Sequence, residues 1–339
     1  MPRLLYLVTS AREMRLADGT PHETGYFAEE AAVPYRRFTA AGLDVVVATP
    51  DGQQPHADSY GLDPIFHMPD EDEDFLGSIT RTFATDVDDI RLTLRHLTGL
   101  GLGASRRIVL AMRAAGLPLE EARALVSAAA RSAWRSDRQL ADVLVEDGHA
   151  GPLTRADIDA AVTAHHEASQ AISDGLAAEL AAIPGFQHPV ALSAMSDEEM
   201  AGFDAVFVPG GHGPMVDLAD NPDVTRLLQI LHRKGATVAA LCHGPAALLA
   251  AGGRDDGEWL FEGFRLTSFT DEEEDQTVAG KLGMPWYLDT ALKNVGAVFD
   301  DAPAAWVSHV VVDRNLITGQ NPGSSVAVAD AVLKSLAVL

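Results

Sequence analysis

The stretch that most constrains this chain is Thr237-Val238-Ala239-Ala240-Leu241-Cys242-His243-Gly244-Pro245-Ala246-Ala247. The run Thr237 to Leu241 reads as a short buried strand, and a helical pattern resumes at Ala246. A cysteine at so sharp a strand-to-helix turn is held at the top of a sheet. Its sulfur can face a cleft there, with helix N–H groups and the positive end of the helix dipole close by. That placement favours the thiolate, the reactive form. Cys242 is also the single cysteine of 339 residues. The competing reading is an inert core cysteine, and the strand–Cys-His-Gly–helix context weighs against it.

A second strand-and-turn points to the same cleft. Phe203-Asp204-Ala205-Val206-Phe207-Val208-Pro209 reads as a buried strand and runs into Gly210-Gly211-His212-Gly213. Glycines at a strand end let backbone N–H groups approach a ligand closely, so this turn could form an oxyanion hole beside the cysteine. It also reads as a tight turn needing positive φ, and both readings can hold together. Near the N-terminus, residues 3–9 read as a strand, 25–41 as a helix with Phe27, Ala31, Tyr35 and Phe38 on one face, and 43–48 as a strand. Strand–helix–strand at this spacing implies a parallel sheet with a right-handed crossover. Further along, 222–234 reads as a helix closed by Gly235, 306–312 with 314–318 as a hairpin, and 325–338 as a last helix.

Between these parts the pattern changes. Helical patterns fall at about 76–98, 104–115, 118–134, 137–146 and 154–183, separated by glycines and prolines. Residues 66–184 therefore read as an inserted all-helical unit, a lid or an interface, within a core of 1–65 and 185–339. His149, His165 and His166 do not suggest a metal site, because adjacent histidines on a helix point apart. No metal and no cofactor are expected.

As an ordered set, several motifs resemble the DJ/PfpI superfamily, which has a class I glutamine amidotransferase-like fold. They are Thr24-Gly25-Tyr26-Phe27-Ala28-Glu29-Glu30 with Pro34, Ala48-Thr49-Pro50-Asp51-Gly52, Val208-Pro209-Gly210-Gly211-His212-Gly213, Leu241-Cys242-His243-Gly244-Pro245, Ser268-Phe269-Thr270-Asp271-Glu272-Glu273-Glu274 and Thr318-Gly319-Gln320-Asn321-Pro322. Within the superfamily the chain is most similar to the glyoxalase III and heat-shock chaperone branch. The resemblance implies an α/β fold, a flavodoxin-like parallel sheet sandwiched by helices, here with a large helical insertion that the family does not explain.

The resemblance also implies a site. Cys242 would be the nucleophile and His243 its acid/base. By motif register Glu30 would be the proton partner of the thiol. Without the resemblance, Glu29 and Glu30 would read as solvated acids at a helix start, and Asp271 to Asp275 as a solvated charge run. Glu274, 32 residues after Cys242, would orient the histidine, with Asp271 as its rival. Gly210, Gly211, His212 and Asn321 would line the oxyanion and substrate pocket. The branch implies a glutathione-independent glyoxalase that turns a 2-oxoaldehyde into a 2-hydroxy acid, a lyase or hydrolase with a nucleophilic cysteine. Two alternatives stand beside it: a hydratase, lyase or amidase dedicated to a larger metabolite, and a holdase chaperone. Homodimerisation is a family-based expectation. A glutamine amidotransferase is disfavoured, since His309 is followed by Val310-Val311 rather than by an acid two residues on.

Composition narrows the partners. With 25 basic and 49 acidic residues the net charge is −24, which repels phosphate backbones and argues against nucleic acid. No apolar run approaches the roughly 20 residues of a membrane span. The start, Met1-Pro2-Arg3-Leu4-Leu5-Tyr6, is too short and too soon polar for a signal peptide. One cysteine fits a reducing compartment. The expectation is a cytoplasmic protein with a small-molecule substrate, and the Ala- and Arg-rich composition suggests a bacterial one.

Overall fold

In the computed structural model, which describes residues 1–64, 67, 71–72, 74–75, 99–252 and 259–339, the apolar runs assemble into a seven-stranded sheet. In chain order its parts are β1 (Arg3–Leu7), α1 (Ala28–Ala40), β2 (Asp44–Thr49), β3 (Val190–Ala191), β4 (Ala205–Val208), α2 (Pro222–Lys234), β5 (Thr237–Leu241), the short helix α3 (Asp271–Glu274), β6 (Val310–Asp313), β7 (Leu316–Gly319) and α4 (Ser325–Ser335). The strand order is β6-β7-β5-β4-β1-β2-β3. All pairs are parallel except the β6–β7 hairpin at one edge.

Strands covered on both faces need no alternation of polar and apolar residues. Every residue of β4 and β5 is buried accordingly. Helix α2 covers the sheet with Val224, Leu227, Leu228 and Leu231, an i, i+3, i+4, i+7 stripe. Asn221 caps its start through Asp223 and Val224 N–H, and Gly235 ends it with φ 72°. Ser196 and Glu199 close a reciprocal capping box on Asp197–Ala201.

The strand order reverses between β1 and β4. The chain runs from β1 to β2 on one side and from β4 to β5 on the other. In a doubly wound sheet the crevice at the carboxyl ends of such strands is where ligands bind. The turns after β4 and β5, at Gly210 and Cys242, open there.

Contacts divide the chain into two units, Met1–Gly61 with Leu176–Leu339, and Leu62–Gly175. The second is helical over Ser105–Ala114, Leu119–Ser136 and Leu140–Glu146, and Arg155–Ala182 begins within it. Its apolar cluster includes Ile108, Met112, Val126, Ala130, Leu144 and Ile158. Thr154 and Asp157 cap Arg155–Ala182 reciprocally. His165 is buried, with Nδ1 3.1 Å from Asp72 Oδ2, and Arg107 Nε donates to the same carboxylate at 2.9 Å. The expected helix at 76–98 lies outside the described residues. Glu13–Arg15 forms a short strand that pairs with Pro21–Glu23; polar residues over so short a stretch give no hydrophobic pattern to mark it.

Candidate active site

Cys242 has φ 59°, a left-handed conformation that few non-glycine residues adopt. The strain is held by three backbone hydrogen bonds. Cys242 N–H donates to Gly319 O (2.9 Å), Phe269 N–H donates to Cys242 O (2.9 Å), and Gly244 N–H donates to Leu241 O (2.7 Å). A Cβ at Gly244 would lie 2.3 Å from Val208 O, so this turn requires glycine. Outliers held by their surroundings in this way concentrate at functional sites.

His243 Nδ1 lies 3.3 Å from Cys242 Sγ, and His243 Nε2 lies 2.6 Å from Glu274 Oε2. The other oxygen of Glu274 takes His212 Nε2 and Thr277 Oγ1, both at 2.9 Å. One buried carboxylate therefore serves two imidazoles, whose rings lie 4.3 Å apart. Burial alone would raise Glu274, but the charges and hydrogen bonds of His212 and His243 hold it far below the ordinary carboxylate range. Burial also opposes a charge on His212, yet Glu274, with Asp58 behind it, leaves His212 net raised. His243 is lowered, by burial first and then by the neighbouring His212. The directions favour a proton on His212 over one on His243, with the carboxylate between them. A carboxylate only accepts, so His243 carries its proton on Nε2 and leaves the Nδ1 lone pair facing sulfur.

Glu30 reaches the thiol from α1. Pro34, one turn on, has no N–H to return to the Glu30 carbonyl, and the Tyr6 hydroxyl reaches that carbonyl (3.3 Å) and the next, Ala31 O (2.7 Å). The side chain is fully buried, and Gly210 N–H donates to Oε2 at 2.9 Å. Burial raises its pKa to about 8, while interactions with Cys242 and Gly210 pull the other way. At neutral pH the carboxyl is mostly protonated. Cys242 is itself pushed well above its ordinary value, first by burial, then by Glu30 and Glu273, while Gly211 N–H opposes the rise. The resting pair is thiol and carboxylic acid, with Gly211 N–H directed at the sulfur, where negative charge would appear.

Glu30 gives a stability prediction with a defined sign. Its folded pKa is raised, so its contribution is fully present below the unfolded value near 4.5 and is lost as pH climbs toward about 8. Glu30→Gln removes that loss. The melting temperature of the variant minus that of wild type should therefore grow steadily from pH 5 to pH 8, and a difference flat across that range would contradict the assignment.

Other expected residues sit differently. Asp271 Oδ2 accepts from Thr290 Oγ1 and not from His243; on the single turn of α3 the face toward the histidines belongs to Glu274. Asn321 is committed to Glu273 Oε1 (2.8 Å) and Val307 O (2.9 Å), so its amide is no oxyanion donor in this arrangement. The Gly210 N–H is taken by Glu30, which leaves Gly211 as the N–H of that turn aimed at the sulfur. His212, expected to bind substrate, is bonded to Glu274. Glu273 is the site residue that sequence reasoning misses, although Thr270-x-x-Glu273 carries the capping-box spacing that the structure realises. His212, His243 and Glu274 also offer ligand atoms within 4.8 Å of one another, but two of the separations are hydrogen-bond lengths, which we read as shared protons. Among the described residues no helix is long and apolar enough to cross a membrane.

Comparison with known proteins adds the lineage. A profile of the DJ-1/PfpI family matches residues 157–335. Glyoxalase 3 of Candida albicans is 31% identical over 145 residues, which are 42% of this chain and 61% of that protein. Protein/nucleic acid deglycase HchA of Escherichia coli is 36% identical over 140 residues, 39% of this chain and 45% of that one. The matched stretch thus spans less than two thirds of either relative. The crystal structure of glyoxalase III from Candida albicans superposes over 98% of this chain and 97% of its own with a TM-score of 0.56, and at 19% identity that is a likeness of fold.

Proposed function

The chain belongs to the DJ-1/PfpI family, and from that premise we propose that it is a cysteine-dependent, glutathione-independent enzyme converting a 2-oxoaldehyde into a 2-hydroxy acid. The observation that carries the reading is a buried thiol with the hydrogen-bonded pair His243–Glu274 on one side and the buried Glu30 carboxyl near it on the other, at the carboxyl ends of β1, β4 and β5.

In this reading His243 Nδ1 takes the thiol proton, and Glu274 stabilises the imidazolium that results. The sulfur adds to the aldehyde carbon, a C–S bond forms, and the carbonyl oxygen takes the proton that Glu30 holds at rest. Glu30, now a carboxylate, removes the hydrogen of the aldehyde carbon as a proton and returns it to the adjacent carbon. The hydroxyl proton passes from the first oxygen to the second. The aldehyde carbon has been oxidised to a thioester and the ketone carbon reduced to an alcohol, with no external oxidant. Water, deprotonated by the Glu30 carboxylate, cleaves the thioester, and the sulfur leaves with the proton that His243 has held since the first step, so the acid is released and the thiol, neutral His243 and protonated Glu30 are restored. Gly211 N–H faces the reacting centre throughout.

The expected result is steady consumption of methylglyoxal with stoichiometric lactate and no requirement for glutathione. Absence of lactate from protein whose Cys242 still reacts with iodoacetamide would overturn the substrate class. The 2-oxoaldehyde reading would then give way to a larger substrate, which the interruption of the core by Leu62–Gly175 favours as the second choice.

A further inference from the structure

We propose that Glu273 is a positioning residue of the thiol site: its buried carboxylate gathers three chain segments around Cys242 and holds the Trp306 backbone beside Phe269, the ring that lies on His243. The proposal deepens the reading above, but its main test does not depend on the substrate.

Glu273 is fully buried and accepts five hydrogen bonds. Oε2 takes Thr270 N–H (3.0 Å) and Thr270 Oγ1 (3.1 Å), which fixes the start of α3 and hence Glu274. Oε1 takes Trp306 N–H (2.6 Å), Gln320 Nε2 (3.0 Å) and Asn321 Nδ2 (2.8 Å). The loop before β6 and the loop after β7 are thus tied to the helix that carries the triad acid. A carboxylate meeting five donors has every lone pair engaged, which pins the side chain in one position.

Trp306 shows what the tie holds in place. Its φ is 66°, a left-handed conformation that a bulky side chain avoids unless the surroundings impose it. Its indole Nε1 donates to Gln276 Oε1 at 2.8 Å, and the ring meets Phe269 edge-on at 5.3 Å. Phe269 in turn lies 4.5 Å from the His243 imidazole, and its N–H holds the Cys242 carbonyl. The path Glu273–Trp306–Phe269–His243 is a chain of direct contacts ending on the base. The sulfur is faced by Glu30 from α1, His243 from its own turn, Gly211 N–H from the turn after β4, and Glu273 from α3, with Glu274 and His212 behind His243.

The experiment is the rate of Cys242 alkylation by iodoacetamide against pH in the full chain, with melting temperature as a control. Glu273→Gln keeps the shape and removes the charge, so the alkylation midpoint should move to lower pH, and methylglyoxal kcat should fall roughly 10- to 100-fold with KM changed less. A variant with a lower melting temperature but the wild-type midpoint and wild-type kcat per folded molecule would show a purely structural role and overturn the proposal. If Glu273→Gln does not fold, Trp306→Gly tests the outer part of the path: it keeps the N–H that Glu273 holds and accepts φ 66° without strain, but removes the indole that meets Phe269. It keeps the Glu273 charge and should leave the midpoint in place while raising the alkylation rate several-fold as the Phe269 wall loosens. An unchanged rate sinks the proposal. Because alkylation needs no substrate, a chain inactive on methylglyoxal still decides the question.

Discussion

Cys242→Ser is expected to lower methylglyoxal turnover by roughly 10³-fold or more, the scale on which covalent nucleophiles act, and to abolish incorporation of iodoacetamide. The second part is clean because the chain has no other cysteine to label. Serine fits the same φ 59° turn, its backbone can keep the bonds to Gly319 and Phe269, and the Gly244–Leu241 bond is untouched, so the fold should survive. What is lost is the thiolate, which a neutral imidazole 3.3 Å away can generate far more readily than an alkoxide. The thiol is itself held protonated at rest, by burial before any other cause, so wild-type alkylation should be slow near neutral pH and climb as pH rises. Turnover retained by the serine variant would remove covalent chemistry from the reading. Label still incorporated after the substitution would mean that the probe never reported Cys242.

The parts of this site that were legible in the sequence share one property: their signals are local. Thr237–Leu241 and the cysteine after it can be read from consecutive small and apolar residues, because a strand buried on both faces and the turn that ends it are encoded in about ten positions. Glu30 was legible only through the family motif. Nothing around it in the sequence states that its side chain is buried, since that depends on Gly210, 180 residues away. His212 shows the same limit. The glycine turn that carries it was legible, but its partner is 62 residues further on. The choice between Asp271 and Glu274 could not be made from spacing, because three residues on a helix leave both acids on one side. Thr290, which takes Asp271, belongs to a different helix. Glu273 was hidden for another reason. Five acids in succession look like a solvated run, and the Thr270-x-x-Glu273 spacing within it was the one cue that the third of them turns inward.

Glu274→Gln is expected to reduce kcat by roughly 10²- to 10⁴-fold with a much smaller change in KM, because it disables the base without touching where a substrate would sit. Glu274 accepts from His243 Nε2 with one oxygen and from His212 Nε2 and Thr277 Oγ1 with the other. Glutamine has one oxygen and one NH₂ group in the same space, so one of the two imidazoles must face a donor. If that imidazole is His243, its proton moves to Nδ1 and points at sulfur, and the lone pair that should take the thiol proton is gone. If it is His212, that ring loses the carboxylate that raises its pKa, and its hold on a proton weakens. His212→Asn separates the cases, since it leaves the Glu274–His243 contact in place and should cost about tenfold. A Glu274→Gln protein that is folded and turns over at the wild-type rate would show that His243 needs no orienting partner. A His212→Asn protein as impaired as Glu274→Gln would show that the two imidazoles act as one unit, with His212 as essential as the base on His243.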